Sequence, residues 1–124
     1  MQESLVSVCD GAGQLRLSGP LSEWLFSSKF WSNINAKHGT MFDQYEEDEA
    51  DVSVVSEVVE ALDERIRALQ EQDVRYIEFV YRWTAEHKPL SVSVPRDLLM
   101  SELEALRDFL GTAVVQNRCV TFSL

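Results

Sequence analysis

Residues 76–94 read YIEFVYRWTAEHKPLSVSV, and their periodicity decides the fold class. Ile77, Phe79, Tyr81 and Trp83 alternate with Tyr76, Glu78, Val80 and Arg82, the two-residue repeat of a strand with one apolar face. Glu86-His87-Lys88-Pro89 reads as a turn. Leu90, Val92 and Val94 then alternate with the outward serines Ser91 and Ser93, which completes a hairpin. A helix over residues 74–86 is the competing assignment, because a helical pattern runs nearly into it.

That pattern occupies residues 52–72. Val55, Val58, Val59, Leu62, Ile66 and Leu69 recur at three- and four-residue steps and make one apolar stripe. Asp51 suits its N-cap. Beyond the hairpin, Pro95 opens a helix over residues 96–115, with Leu99, Leu103, Leu106 and Leu110 as its stripe and Asn117 as its C-cap. Residues 119–124 alternate again, with Val120, Phe122 and Leu124 on one face and Ser123 on the other.

Towards the N-terminus, residues 5–9 and 14–18 are strand-like runs around the turn signal Asp10-Gly11-Ala12-Gly13, so they read as a hairpin. Residues 20–37 are rich in aromatics and read as one interrupted helix or two short ones, with Ser27-Ser28 as the break and Gly39 as the end. Residues 41–45 are a short strand or extended loop, and residues 46–51 a loop leading into the next helix. The expected architecture is one α+β domain over residues 1–124. It has two layers, with an antiparallel sheet, including residues 76–83, 90–94 and 119–124, packed against amphipathic helices.

The formal net charge is −10. No lysine or arginine lies between Lys37 and Arg65, and that gap holds ten carboxylates: Asp43, Glu46, Glu47, Asp48, Glu49, Asp51, Glu57, Glu60, Asp63 and Glu64. The other eleven acids match the 11 Lys and Arg, so one segment carries the whole excess. Such a field repels nucleic acid and anionic lipid and attracts a basic surface. It also serves solubility, and its order along the helix suits the helix dipole.

Catalytic chemistry finds no motif. His38 and His87 lack a second metal ligand at helical spacing. DQYEEDEADVSV lacks the glycine of a calcium loop. GAG at residues 11–13 is a turn, not a phosphate cradle. No nucleophile elbow exists, and neither Cys9 nor Cys119 has a histidine nearby in sequence. No cofactor or metal is expected, nor is enzymatic activity. The start MQESLVSVCDGAG has no basic n-region, which gives a cytoplasmic expectation, and with it Cys9 and Cys119 as free thiols.

A binding surface remains. Tyr45 stands beside Glu46, Glu47, Asp48 and Glu49, with Phe42 three residues before it. An aromatic anchor among carboxylates suits an interface; the two rings could equally pin the loop to the core. The candidate partner-binding residues are Phe42, Asp43, Tyr45, Glu46, Glu47, Asp48, Glu49, Asp51, Glu57, Glu60 and Glu64. The aromatic region around Trp24 and Trp31 is the other place for an interface.

A small acidic chain with SEWLFSSKFWSNINAKHGT, then MFDQYEEDEAD, then VSVPRDLLMSELEALRDFLGTAVVQNRCVTFSL resembles bacterial immunity proteins paired with polymorphic, contact-dependent or type VI toxins. The resemblance implies a non-catalytic protein that binds its cognate toxin, by plugging the active site or by blocking it elsewhere. Many such toxins are basic nucleases, whose nucleic-acid surface an acidic protein can occupy. A small acidic adaptor or regulatory domain of another system is the alternative.

Overall fold

The computed structural model describes residues 1–11 and 13–124. The chain is an α+β fold. Strands β1 (Ser4–Val8) and β2 (Gln14–Leu17) form the first hairpin, followed by helices α1 (Gly19–Ser27) and α2 (Phe30–His38). Strand β3 (Glu47–Ala50) leads into helix α3 (Val52–Glu71). The second hairpin, β4 (Tyr76–Trp83) and β5 (Pro89–Pro95), precedes helix α4 (Arg96–Val115) and strand β6 (Val120–Ser123).

Local chemistry explains the boundaries. The Ser18 hydroxyl accepts the Leu21 amide at the start of α1, and Pro20 fits the first turn. Lys29 adopts φ 63° between α1 and α2, and Gly39 ends α2 at φ 68°, where a Cβ would be strained. Asn117, expected as the cap of α4, takes the left-handed conformation one residue after Gln116. His87 does the same in the second hairpin, where its amide donates to the Thr84 carbonyl. It shapes a turn there.

Asp51 caps α3: its carboxylate accepts the Val54 amide at 3.0 Å and the Ser53 hydroxyl at 2.8 Å. The Val54 amide, more than Ser53, holds the Asp51 carboxyl below the ordinary aspartate value of 3.8. A depressed folded pKa adds stability above the unfolded value, and that stability is lost as pH falls through the folded one. Asp51→Asn keeps a capping oxygen but cannot titrate. Its unfolding curve should match wild type near neutrality and fall less steeply with acid below pH 3.8 in urea titrations followed by circular dichroism.

The sheet departs from expectation in two ways. Residues 46–51, expected as a loop, contain β3. Strand β6 lies between β1 and β3, in the order β2-β1-β6-β3, with all pairs antiparallel. Both flanks of β6 are therefore filled, and the β4–β5 hairpin forms a separate two-stranded sheet instead of joining β6. That hairpin packs on α1 and α4. It also rules out a helix over residues 74–86.

The alternation of β4 is broken by a bulge between Val80 and Arg82. Two residues on the bulged strand oppose one on the partner, so alternation resumes out of phase. Trp83, expected on the inner face with Tyr81, is 66% exposed. Leu90 opposite Arg82 is exposed as well, while Val94 is buried.

The core face of the larger sheet contributes Val6, Ala50, Val120 and Phe122, and the helices contribute the stripes read from sequence. Val55, Val58, Leu62, Ile66 and Leu69 of α3 are buried, as are Leu99, Leu103, Leu106 and Leu110 of α4. Trp31 sits among Phe26, Phe30, Phe42 and Phe122, with ring centroids 5.1–6.5 Å away. The other face of this sheet carries Leu5, Ser7, Arg16, Thr121, Ser123, Glu47 and Glu49, none of them buried.

The cysteines correct the free-thiol expectation: Cys9 and Cys119 form a disulfide. The cause is register. Val8 pairs with Val120, so the next residues outward are Cys9 and Cys119, with Cα atoms 5.5 Å apart. The Cys9 amide donates to the Cys119 carbonyl at 3.0 Å.

Candidate partner-binding surface

The acidic run becomes a strand because β6 offers an unpaired flank. The Leu124 amide donates to the Glu46 carbonyl at 3.0 Å, which fixes the hydrogen-bonding phase of the ladder. Glu46, Asp48 and Ala50 turn their backbone groups towards β6. Glu47 and Glu49 turn theirs outward, along the open edge of the sheet. Their side chains are exposed. Asp48 points to the opposite face, with Oδ2 buried and unpartnered by any hydrogen bond among the described residues.

The expected site residues therefore separate. Glu46, Glu47 and Glu49 surround the open edge of β3, and exposed Asp43 precedes them. Asp51 is committed to the cap of α3. Phe42 is 5% exposed and packs on Trp31 and Phe122, so its ring belongs to the core and not to the surface. Glu57, Glu60 and Glu64 line a different feature, a cleft of about 120 Å³ between α2 and α3. Lys37, His38 and Arg65 share that cleft, with His38 Nε2 3.5 Å from Glu57. The acids there share their cleft with these cations. Trp24 and Trp31 are buried, which removes the alternative aromatic surface; the exposed aromatics are Tyr45, Tyr76 and Trp83.

Tyr45 is 65% exposed, at φ 66°. Its hydroxyl accepts from Arg82 Nη2 at 2.6 Å. Arg82 also donates to both oxygens of Glu23, each at 2.9 Å, and Gln44 Nε2 donates to Glu23 Oε1 at 3.1 Å. Glu23 is 2% exposed, so a buried carboxylate on α1 holds an arginine that holds the exposed ring. The Glu23 hydrogen bonds raise the Arg82 pKa above its ordinary value, against desolvation.

The sequence reading missed Glu23, Gln44 and Arg82. The available signals were one acid inside the aromatic helix SEWLF and one cation inside the apolar strand YIEFVYRW. The bulge in β4 turns Arg82 towards Glu23.

The chain matches no family model, curated protein or solved structure. No helix among the described residues is long and apolar enough to cross a membrane.

Proposed function

We propose that this chain is a non-catalytic immunity protein that neutralises a toxin domain with a basic surface. The observation that carries the reading is the open edge of β3. Backbone groups there, unpaired among the described residues, lie beside Glu46, Glu47 and Glu49, next to a tyrosine ring fixed by Arg82. An open edge can accept a strand from a partner, with main-chain hydrogen bonds for affinity and side chains for specificity. Carboxylates on that edge disfavour pairing with a second acidic copy and favour a basic strand. For a toxin that acts on nucleic acid, such contact occludes the surface its substrate needs.

We place the protein in the cytoplasm. In a reducing cytoplasm the cysteine pair is open, whereas an oxidising compartment keeps it bridged. Alkylation of lysates followed by mass spectrometry distinguishes these states.

The test uses the triple variant Glu46→Gln, Glu47→Gln, Glu49→Gln against basic toxin domains encoded beside this gene. Asp48 is left intact because it faces inward. Association should slow about tenfold at low salt, and its dependence on ionic strength should flatten. The fold should survive, since self-repulsion is relieved. A folded variant that associates at the original rate and salt dependence would reduce the acidic edge to a solubility feature. Tight binding to a non-toxin neighbour instead would favour the adaptor reading.

A further inference from the structure

We propose that Cys9, Cys119 and Glu49 form a binding site for a zinc-class divalent cation when the disulfide is reduced. The three residues come from separate places on one sheet face. Cys9 directly follows β1, Cys119 directly precedes β6, and Glu49 lies on β3 opposite Thr121. The two sulfurs and a Glu49 carboxylate oxygen lie within 4.8 Å of one another. Glu49 lies within the ladder, and Cys9 and Cys119 stand one residue beyond its paired strands, tied together by the Cys9 amide donating to the Cys119 carbonyl at 3.0 Å, so the end of the sheet positions all three.

The donor set fits zinc. Thiolate sulfur binds at about 2.3 Å and carboxylate oxygen at about 2.0–2.2 Å. Tetrahedral ligands at those lengths sit roughly 3.5 Å from one another, a spacing the sulfurs reach once the bond between them is gone. Two thiolates and one carboxylate leave the fourth position to water. The site faces solvent: Cys9 and Glu49 are exposed and Cys119 is half-buried. Calcium and magnesium prefer all-oxygen sets, so two sulfurs select against them.

The bridge gates the site. A dithiol reductant gives two electrons and two protons to the disulfide. The S–S bond breaks, Cys9 and Cys119 become thiols, and the reductant leaves as its own disulfide. Cation binding then releases both thiol protons to solvent as two metal–sulfur bonds form. With the bridge closed, neither sulfur is a thiolate and the site is lost.

Cobalt(II) is the probe, because thiolate ligation gives a near-ultraviolet charge-transfer band and tetrahedral geometry gives visible bands. Phosphine-reduced protein under argon should bind one cobalt ion per chain, which zinc then displaces. Oxidised protein should show neither band. Glu49→Gln should weaken binding by at least about tenfold, and Cys9→Ser should abolish the charge-transfer band. Glu86→Gln, in the turn of the second hairpin, should change nothing. Circular dichroism verifies that each variant is folded, and a urea-denatured control separates the site from unfolded thiols. X-ray absorption of zinc-loaded, reduced wild type, which needs no variant, should count two sulfur and two lighter ligands. Absence of cobalt uptake by folded, reduced protein, or wild-type affinity in Glu49→Gln, would overturn the proposal.

Discussion

Arg82→Met is expected to lower the unfolding free energy by about 3 kcal/mol in urea denaturation. The guanidinium donates to both oxygens of a carboxylate that is almost fully buried, and only Gln44 would remain to it. A lone buried charge costs about 3–5 kcal/mol when its partner is removed. The lower end applies because the Arg82 side chain is 36% exposed, and water reaches the space it leaves. The double variant Glu23→Leu, Arg82→Met should recover most of that loss, since neither charge is stranded. Simple additivity of the two single losses would show that the pair is uncoupled. Both variants release the Tyr45 hydroxyl, so a stable double variant that binds a partner poorly would separate ring positioning from folding.

Reduction of the Cys9–Cys119 bridge, with a chelator present, should cost about 2–4 kcal/mol. The bridge closes a separation of 110 residues and so removes much entropy from the unfolded chain. The long-loop value is about 4.7 kcal/mol, and residual order in the unfolded state reduces it. In thermal scans the loss corresponds to roughly 8–15 °C for a chain of this size. Cys9→Ser should reproduce the reduced midpoint. A reduced midpoint equal to the oxidised one would mean that the β1–β6 ladder alone holds these ends together.

The elements legible in the sequence were those governed by local periodicity. The stripe from Val55 to Leu69 marked α3, and the change of period at Tyr76 marked β4, because burial repeats with the geometry of each element. Caps and breaks were legible for the same reason, since Asp51 and Gly39 act within one turn. Strand β3 was hidden because EDEA has poor intrinsic strand propensity; its conformation comes from pairing with β6, far away in the chain. Trp83 was misplaced by one bulge, which no propensity announces. The cysteine pairing was a matter of register between β1 and β6, and reasoning from compartment reached the opposite expectation. Within the candidate surface, composition found the carboxylates but could not separate those on the open edge from those facing cations across the α2–α3 cleft. The Glu23–Arg82 contact spans 59 positions and exists only after α1 and β4 have packed together.

The central position of β1 and β6 also sets an order of events in folding. The two hairpins and α3 need only neighbours in sequence, whereas in the reduced chain the β1–β6 ladder must close nearly the whole chain into a loop before any of its contacts forms, a closure that the Cys9–Cys119 bridge supplies in advance when it is intact. Strand β3 has no hydrogen-bonding partner until β6 arrives, so its carboxylate-rich segment stays unpaired until that late step. In the reduced chain, substitutions at the seam around Val6, Val120 and Phe122 are therefore expected to slow refolding, which stopped-flow measurements would check.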